Sequence, residues 1–211
     1  MIQLIIGGLV LSTIHALIPN HWIPIVAISK SEKWSRREAI EITLIIGSAH
    51  TISSIMIGIV IGLIGYRLSE TLSFITNIAA PLILVILGII FVILNKRHHH
   101  HKTIDSKEIT EGSKRSKFAI ISTLGIAMFF SPCLEVDAYY LTAGTLGWMG
   151  IATLSIIYLF VTVFVMIILV NLSMRGIDKL NIKLHFFEHN EKAIAGVVLI
   201  VLGIFSYFIK L

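Results

Sequence analysis

Apolar residues fall in long runs along this chain, separated by short polar stretches. Met1 to Ser29 contains no Asp, Glu, Lys or Arg, and neither does Ile42 to Tyr66 or Thr71 to Asn95. A polar segment, Lys96 to Lys117, follows. From Phe118 the chain is apolar again, interrupted only by Glu135 and Asp137, and Ala138 to Met174 carries no charge. That last run is too long for one span, and Gly144-Thr145-Leu146-Gly147 offers a turn. A helix needs about 20 apolar residues to cross a bilayer. The pattern therefore predicts spans at Met1–Ser29, Ile42–Tyr66, Thr71–Asn95, Phe118–Gly144, Trp148–Leu172 and Ala193–Ile209, with Arg175 to Lys192 amphipathic and charged. The runs do not alternate with period two, so they are not barrel strands. The expected fold is an all-α membrane protein with six transmembrane helices.

Composition agrees with this reading. The 211 residues are 56% hydrophobic and 14% charged, with a mean hydropathy of +0.92. An average soluble domain has roughly 25% charged residues. The net charge of +5 needs no nucleic acid to explain it, because the basic residues sit in the loops. Fifteen of the 17 Lys and Arg residues fall around the first, third and fifth connections; only Arg67 and Lys210 lie on the other side. By the positive-inside rule both termini are extracytoplasmic and the central loop is cytoplasmic, in a multi-pass protein of the cell's inner (cytoplasmic) membrane. The N-terminus has no basic region or small-residue cleavage site, which reads as an uncleaved first span. A single cysteine, Cys133, excludes an intrachain disulfide.

Three spans on each side of the polar segment suggest two repeats, residues 1–95 and 118–211, joined by a cytoplasmic histidine-containing loop, 96–117. Each half opens with a helix holding a proline near mid-span: Ile18-Pro19-Asn20-His21 and Ser131-Pro132-Cys133-Leu134. An odd number of spans per half makes the repeats inverted. The first and fourth helices are expected to be broken at these prolines.

Ionisable groups inside the membrane are costly and tend to line a pathway or face the bundle interior. Here they are His15, His21, His50, Glu135 and Asp137, with Cys133 beside them. At about 1.5 Å per residue, His15 lies roughly 20 Å from the outer end of its span, His50 roughly 17 Å from the inner end and Cys133 roughly 23 Å from the inner end. All are near the middle of a core about 30 Å thick. On a straight helix His15 and His21 would point about 120° apart. Unwinding at Pro19 or Pro24 would let His15, Asn20 and His21 converge, and Pro132 would do the same for Cys133, Glu135 and Asp137. Imidazole suits nickel, zinc, copper and iron, while thiolate suits softer ions. Each residue alone has a plainer explanation: a lone membrane histidine more often bonds a neighbouring helix, a lone cysteine more often packs. Gly58 and Gly62 read as close helix packing. Outside the spans, His98, His99, His100 and His101 form a run in the central loop suited to weak metal collection. His185 and His189, four apart, fit a surface helix.

His15-Ala16-Leu17-Ile18-Pro19-Asn20-His21 resembles the H-x-x-x-x-D-H signature of the nickel/cobalt transporter families, and Gly47-Ser48-Ala49-His50-Thr51 is similar to the element on their following helix. With Phe129-Phe130-Ser131-Pro132-Cys133-Leu134-Glu135, the combination is most similar to the nickel/cobalt-exporter-like and urease-accessory-protein-like branch of the lysine-exporter superfamily. The motifs cover 19 of the 211 residues. The resemblance implies six helices in two inverted halves, and His15, His21 and His50 as metal-pathway residues. Asn20 stands where the signature has aspartate, so a carboxylate is missing that Glu135 or Asp137 would have to replace. The functional expectation is a secondary transporter of a divalent transition metal, nickel or cobalt first and zinc or iron next, with no cofactor beyond the ion carried. A cytoplasmic histidine loop favours export. The alternative within the superfamily is export of an anion or amino acid. An enzyme is not expected, since there is no cysteine pair, no H-E-x-x-H and no P-loop. Direction, coupling ion and oligomeric state stay open.

Overall fold

The computed structural model describes residues 1–71, 78–97, 116–131, 133–176 and 190–208. Among these residues every regular element is a helix: α1 (Ile2–Leu17), α2 (Pro19–Ser31), α3 (Arg36–Thr71), α4 (Ala80–Arg97), α5 (Lys117–Phe129), α6 (Leu134–Gly144), α7 (Gly147–Met174) and α8 (Glu191–Phe208). Three segments are long and apolar enough to cross a membrane: α1 with α2, α3, and α7. The pair α5 and α6, bent by 50°, makes a fourth if taken as one span. The expected third and sixth spans are represented by shorter apolar helices, Ala80–Leu94 and Lys192–Phe208.

The breaks follow from local chemistry. Ile18 leaves the helix in an extended conformation, φ −62° and ψ 125°, because a following proline disfavours the helical region for the residue before it. Pro19 then occupies the first position of α2, where its missing N–H costs nothing. Pro24 lies inside α2 without ending it, so the expected opening occurs at Pro19 alone. The second break separates Phe129 from Leu134, with Cys133 extended at the N-cap of α6. Pro132 lies outside the described residues. At the start of α3, Ser35 and Glu38 form a capping box: the Ser35 N–H donates to Glu38 Oε2 (2.7 Å) and the Glu38 N–H to Ser35 Oγ (3.3 Å).

Unlike a soluble bundle, this one is apolar on its outside as well as inside. On α7 the buried stripe runs Leu154, Tyr158, Thr162, Met166 and Val170, whereas Ile156, Phe160 and Phe164 are exposed. Hydroxyls point inward and bulky apolar groups outward, as a lipid-facing helix requires. α3 and α6 approach closely through small residues. A side chain on Gly144 would collide with the Gly62 carbonyl, and one on Gly58 with the Tyr140 ring. Gly58 and Gly62 are thus packing positions.

The main helix contacts follow one rule. α1–α2 pack on α7, and α5–α6 pack on α3; α3 meets α7, and α4 meets α8; α2 meets α3, and α6 meets α7. Exchanging the segments before and after residue 116 leaves these pairings unchanged, whereas helix by helix the smaller contacts of α1 with α8 and α6 and of α6 with α4 and α8 have no counterpart of similar extent. α3 and α5–α6 run parallel, since Glu38 pairs with Lys117, His50 meets Met128, and Gly62 meets Gly144. Two apolar clusters fill the interior, one around Leu4, Tyr140 and Leu154, the other around Trp22, Ile46 and Met166.

Candidate metal centre

Both helix breaks lie where the broken helices meet α3 and α7. His15 is in the last turn of α1 and His21 in the first turn of α2, so the extended Ile18 lets two residues on opposite sides of the break face one another. Their ring centroids are 4.5 Å apart. His50, in mid-α3, lies 4.6 Å from His21 and 5.9 Å from His15 by the same measure. Cys133 arrives from the second break. One ligand atom from each of these four residues lies within 4.8 Å of the corresponding atoms of the others, and all four residues are buried.

The break that places Cys133 also orients His50. When α5 stops at Phe129, its last carbonyls lose their helical partners. The His50 Nδ1–H donates to the Met128 carbonyl (2.9 Å), and the Ser53 hydroxyl donates to that of Phe129. A carbonyl only accepts, so Nδ1 of His50 carries a proton, and Nε2 is the ring atom turned toward the centre. His15 is arranged alike: its Nδ1 lies 3.3 Å from Glu135 Oε1. Both Nε2 atoms lie 3.2 Å from Cys133 Sγ.

A tetrahedral ion with nitrogen ligands at about 2.0–2.1 Å and sulfur at about 2.3 Å needs N···S edges of roughly 3.5 Å. The observed 3.2 Å contacts are close to that figure. Carboxylate–histidine and carbonyl–histidine pairs are also the usual second layer around a metal. The donor set therefore fits a borderline or soft transition ion.

The sequence-derived candidates divide clearly. His15, His21, His50 and Cys133 come together, with Glu135 behind His15. Asp137 is buried in the first turn of α6. Asn20 is exposed on the first turn of α2. His98 to His101, His185 and His189 lie outside the described residues. Sequence reasoning missed the Met128 carbonyl and the Tyr158 ring, which packs 5.7 Å from His15. A phenol in the middle of a charge-free span was the available signal for Tyr158. Comparison of the chain with protein-family models, with curated proteins and with solved structures returns no match.

Proposed function

We propose that this protein is a secondary transporter that carries a divalent transition-metal ion through the His15–His21–His50–Cys133 centre. The observation that supports this most directly is the convergence of three imidazoles and one thiol, from both broken helices and α3, on one buried point. Charge supports it too. A divalent ion in a low-dielectric interior needs nearby negative charge, and a Cys133 thiolate with the Glu135 carboxylate supplies two units. The apolar clusters around Tyr140 and around Trp22 act as barriers that open in turn.

In this reading the chain forms six spans in two inverted halves, which the exchange-invariant helix pairing supports. It resides in the cytoplasmic membrane with both termini outside, as the charge distribution favours. The central histidines gather ions on the inner side, and transport is export. The likeness to nickel/cobalt exporters points to nickel or cobalt, and the nitrogen–sulfur donor set adds zinc.

The test is ion flux into proteoliposomes holding the purified chain, with Co2+ titration of the same protein. Wild type should bind about one Co2+ with thiolate-to-metal absorption and move it across the membrane, and His21→Ala should lose at least about tenfold in affinity, about 1.4 kcal/mol. Transport of a solute without any need for metal, and no Co2+–thiolate absorption in wild type, would transfer the reading to an anion or amino-acid exporter.

A further inference from the structure

Cys133 and Glu135 already supply the two negative charges that a divalent ion at the centre requires, and Asp137 is left over. It is 2% exposed, and neither carboxylate oxygen makes a hydrogen bond. Leaving such a carboxylate without a partner in a membrane interior is expensive. Its position is defined by the helix: the Asp137 N–H donates to the Cys133 carbonyl (3.0 Å), so Asp137 stands one turn beyond the thiol on the same face of α6.

A matching step occurs on the neighbouring helix. Ser54 follows His50 by one turn on α3 and is fully buried. Because α3 and α6 run parallel, both four-residue steps lead the same way, about 6 Å along each helix axis from the centre. The fully buried Tyr158 of α7 brings a hydroxyl beside Ser54 and Cys133. Neither that hydroxyl nor Ser54 Oγ makes a hydrogen bond of regular geometry. Helix periodicity thus sets a carboxylate and a hydroxyl one turn beyond the nitrogen–sulfur centre, with the Tyr158 hydroxyl between Ser54 and the thiol.

We propose that Asp137, Ser54 and Tyr158 form a second cation subsite, built of oxygen donors, that receives the ion as it leaves the His/Cys centre toward the Gly144 end of α6. This rests on the transport reading above. Oxygen ligands hold transition ions less tightly than imidazole and thiolate do, so the subsite lowers the step between a tight site and water. Two divalent ions about 6 Å apart repel strongly at low dielectric, so the two sites fill alternately and not together.

Two probe ions separate the sites in the purified full-length protein. Mn2+, which favours oxygen ligands, is followed by electron paramagnetic resonance, and Co2+ by its thiolate absorption. Cys133→Ala should abolish the Co2+ absorption and retain Mn2+ binding. Asp137→Asn should weaken Mn2+ at least tenfold, keep Co2+ affinity within about threefold, and slow flux. Ser54→Ala should weaken Mn2+ by a smaller factor, and it serves as the folding-neutral check on Asp137→Asn. Mn2+ affinity unchanged in both Asp137→Asn and Ser54→Ala, or Mn2+ binding lost with Cys133→Ala, would overturn the subsite. Absence of the Co2+–thiolate absorption in wild type would instead count against the transport centre itself, so the two failures are distinguishable.

Discussion

Cys133 Sγ stands 3.2 Å from Nε2 of His50, although the two residues are 83 positions apart and belong to different helices. The same sulfur is equally close to Nε2 of His15. Two ring nitrogens and one sulfur at these separations can share a single cation. The interruption between α5 and α6 creates this arrangement by presenting Cys133 at a helix N-cap and by turning the Met128 carbonyl, which also accepts the Ser131 N–H, toward His50.

Replacing Cys133 by serine keeps the size but loses the soft donor. Cys133→Ser should abolish thiolate-to-Co2+ absorption and lower affinity at least about tenfold. Cys133 is the only cysteine in the chain, so maleimide labelling of wild type gives a second readout. Saturating Zn2+ should slow labelling, and unchanged labelling with metal bound would place the ion elsewhere.

Glu135 touches His15, not the centre, and is half-buried. Its carboxylate holds the Nδ1–H and keeps Nε2 directed at the thiol. Partners of this kind are worth roughly 10–100-fold in metal affinity. Glu135→Ala should fall in that range, and Glu135→Gln, whose amide oxygen still accepts the hydrogen bond, should lose less. Isothermal titration with Zn2+ ranks the two, and equal losses would mean that charge alone matters at this position.

The histidines were legible in the sequence because ionisable groups are conspicuous in apolar runs. Pro19 made the first break legible as well, since a proline restricts its predecessor whatever the tertiary surroundings. Cys133 was legible only as the neighbour of a proline: nothing local shows that the second break lies against His50. The Met128 carbonyl had no sequence signature, because every residue has a carbonyl and only the end of α5 turns this one toward His50. Asn20 entered the candidate site by its place in the motif, and its side chain is exposed next to the buried His21. Helix pairing was legible at Gly58 and Gly62 as small residues, but their partners, Tyr140 and Gly144, required the fold.

Packing of α3 on α6 provides a stability test. A methyl group at Gly144 would strike the backbone carbonyl of Gly62, which cannot rotate aside, whereas one at Gly125 meets nothing within 4 Å. Gly144→Ala should destabilise the protein by roughly 1–3 kcal/mol through overpacking. Gly125→Ala should be neutral or gain up to about 1 kcal/mol from helix propensity. Unfolding of the detergent-solubilised variants, compared by midpoint, checks the order, and equal midpoints would contradict the close crossing.

The last expectation concerns the break that brings His15 and His21 together. Pro19 forces Ile18 out of the helical region, and alanine at this position removes that constraint. The apolar surroundings would then favour a continuous helix from α1 into α2, because that closes backbone hydrogen bonds in a region without water. In a continuous helix residues six apart point about 120° from each other, so His15 and His21 could no longer serve the same ion. Pro19→Ala should therefore lower Co2+ affinity by at least about tenfold, as a ligand deletion would, although all four donors remain. Helix content by circular dichroism should stay level or rise. A glycine at this position lacks the ring but tolerates the extended conformation, so Pro19→Gly should retain more affinity than Pro19→Ala. Full affinity in Pro19→Ala, with absorption matching wild type, would mean that packing by α3 and α7 holds the break open without the proline.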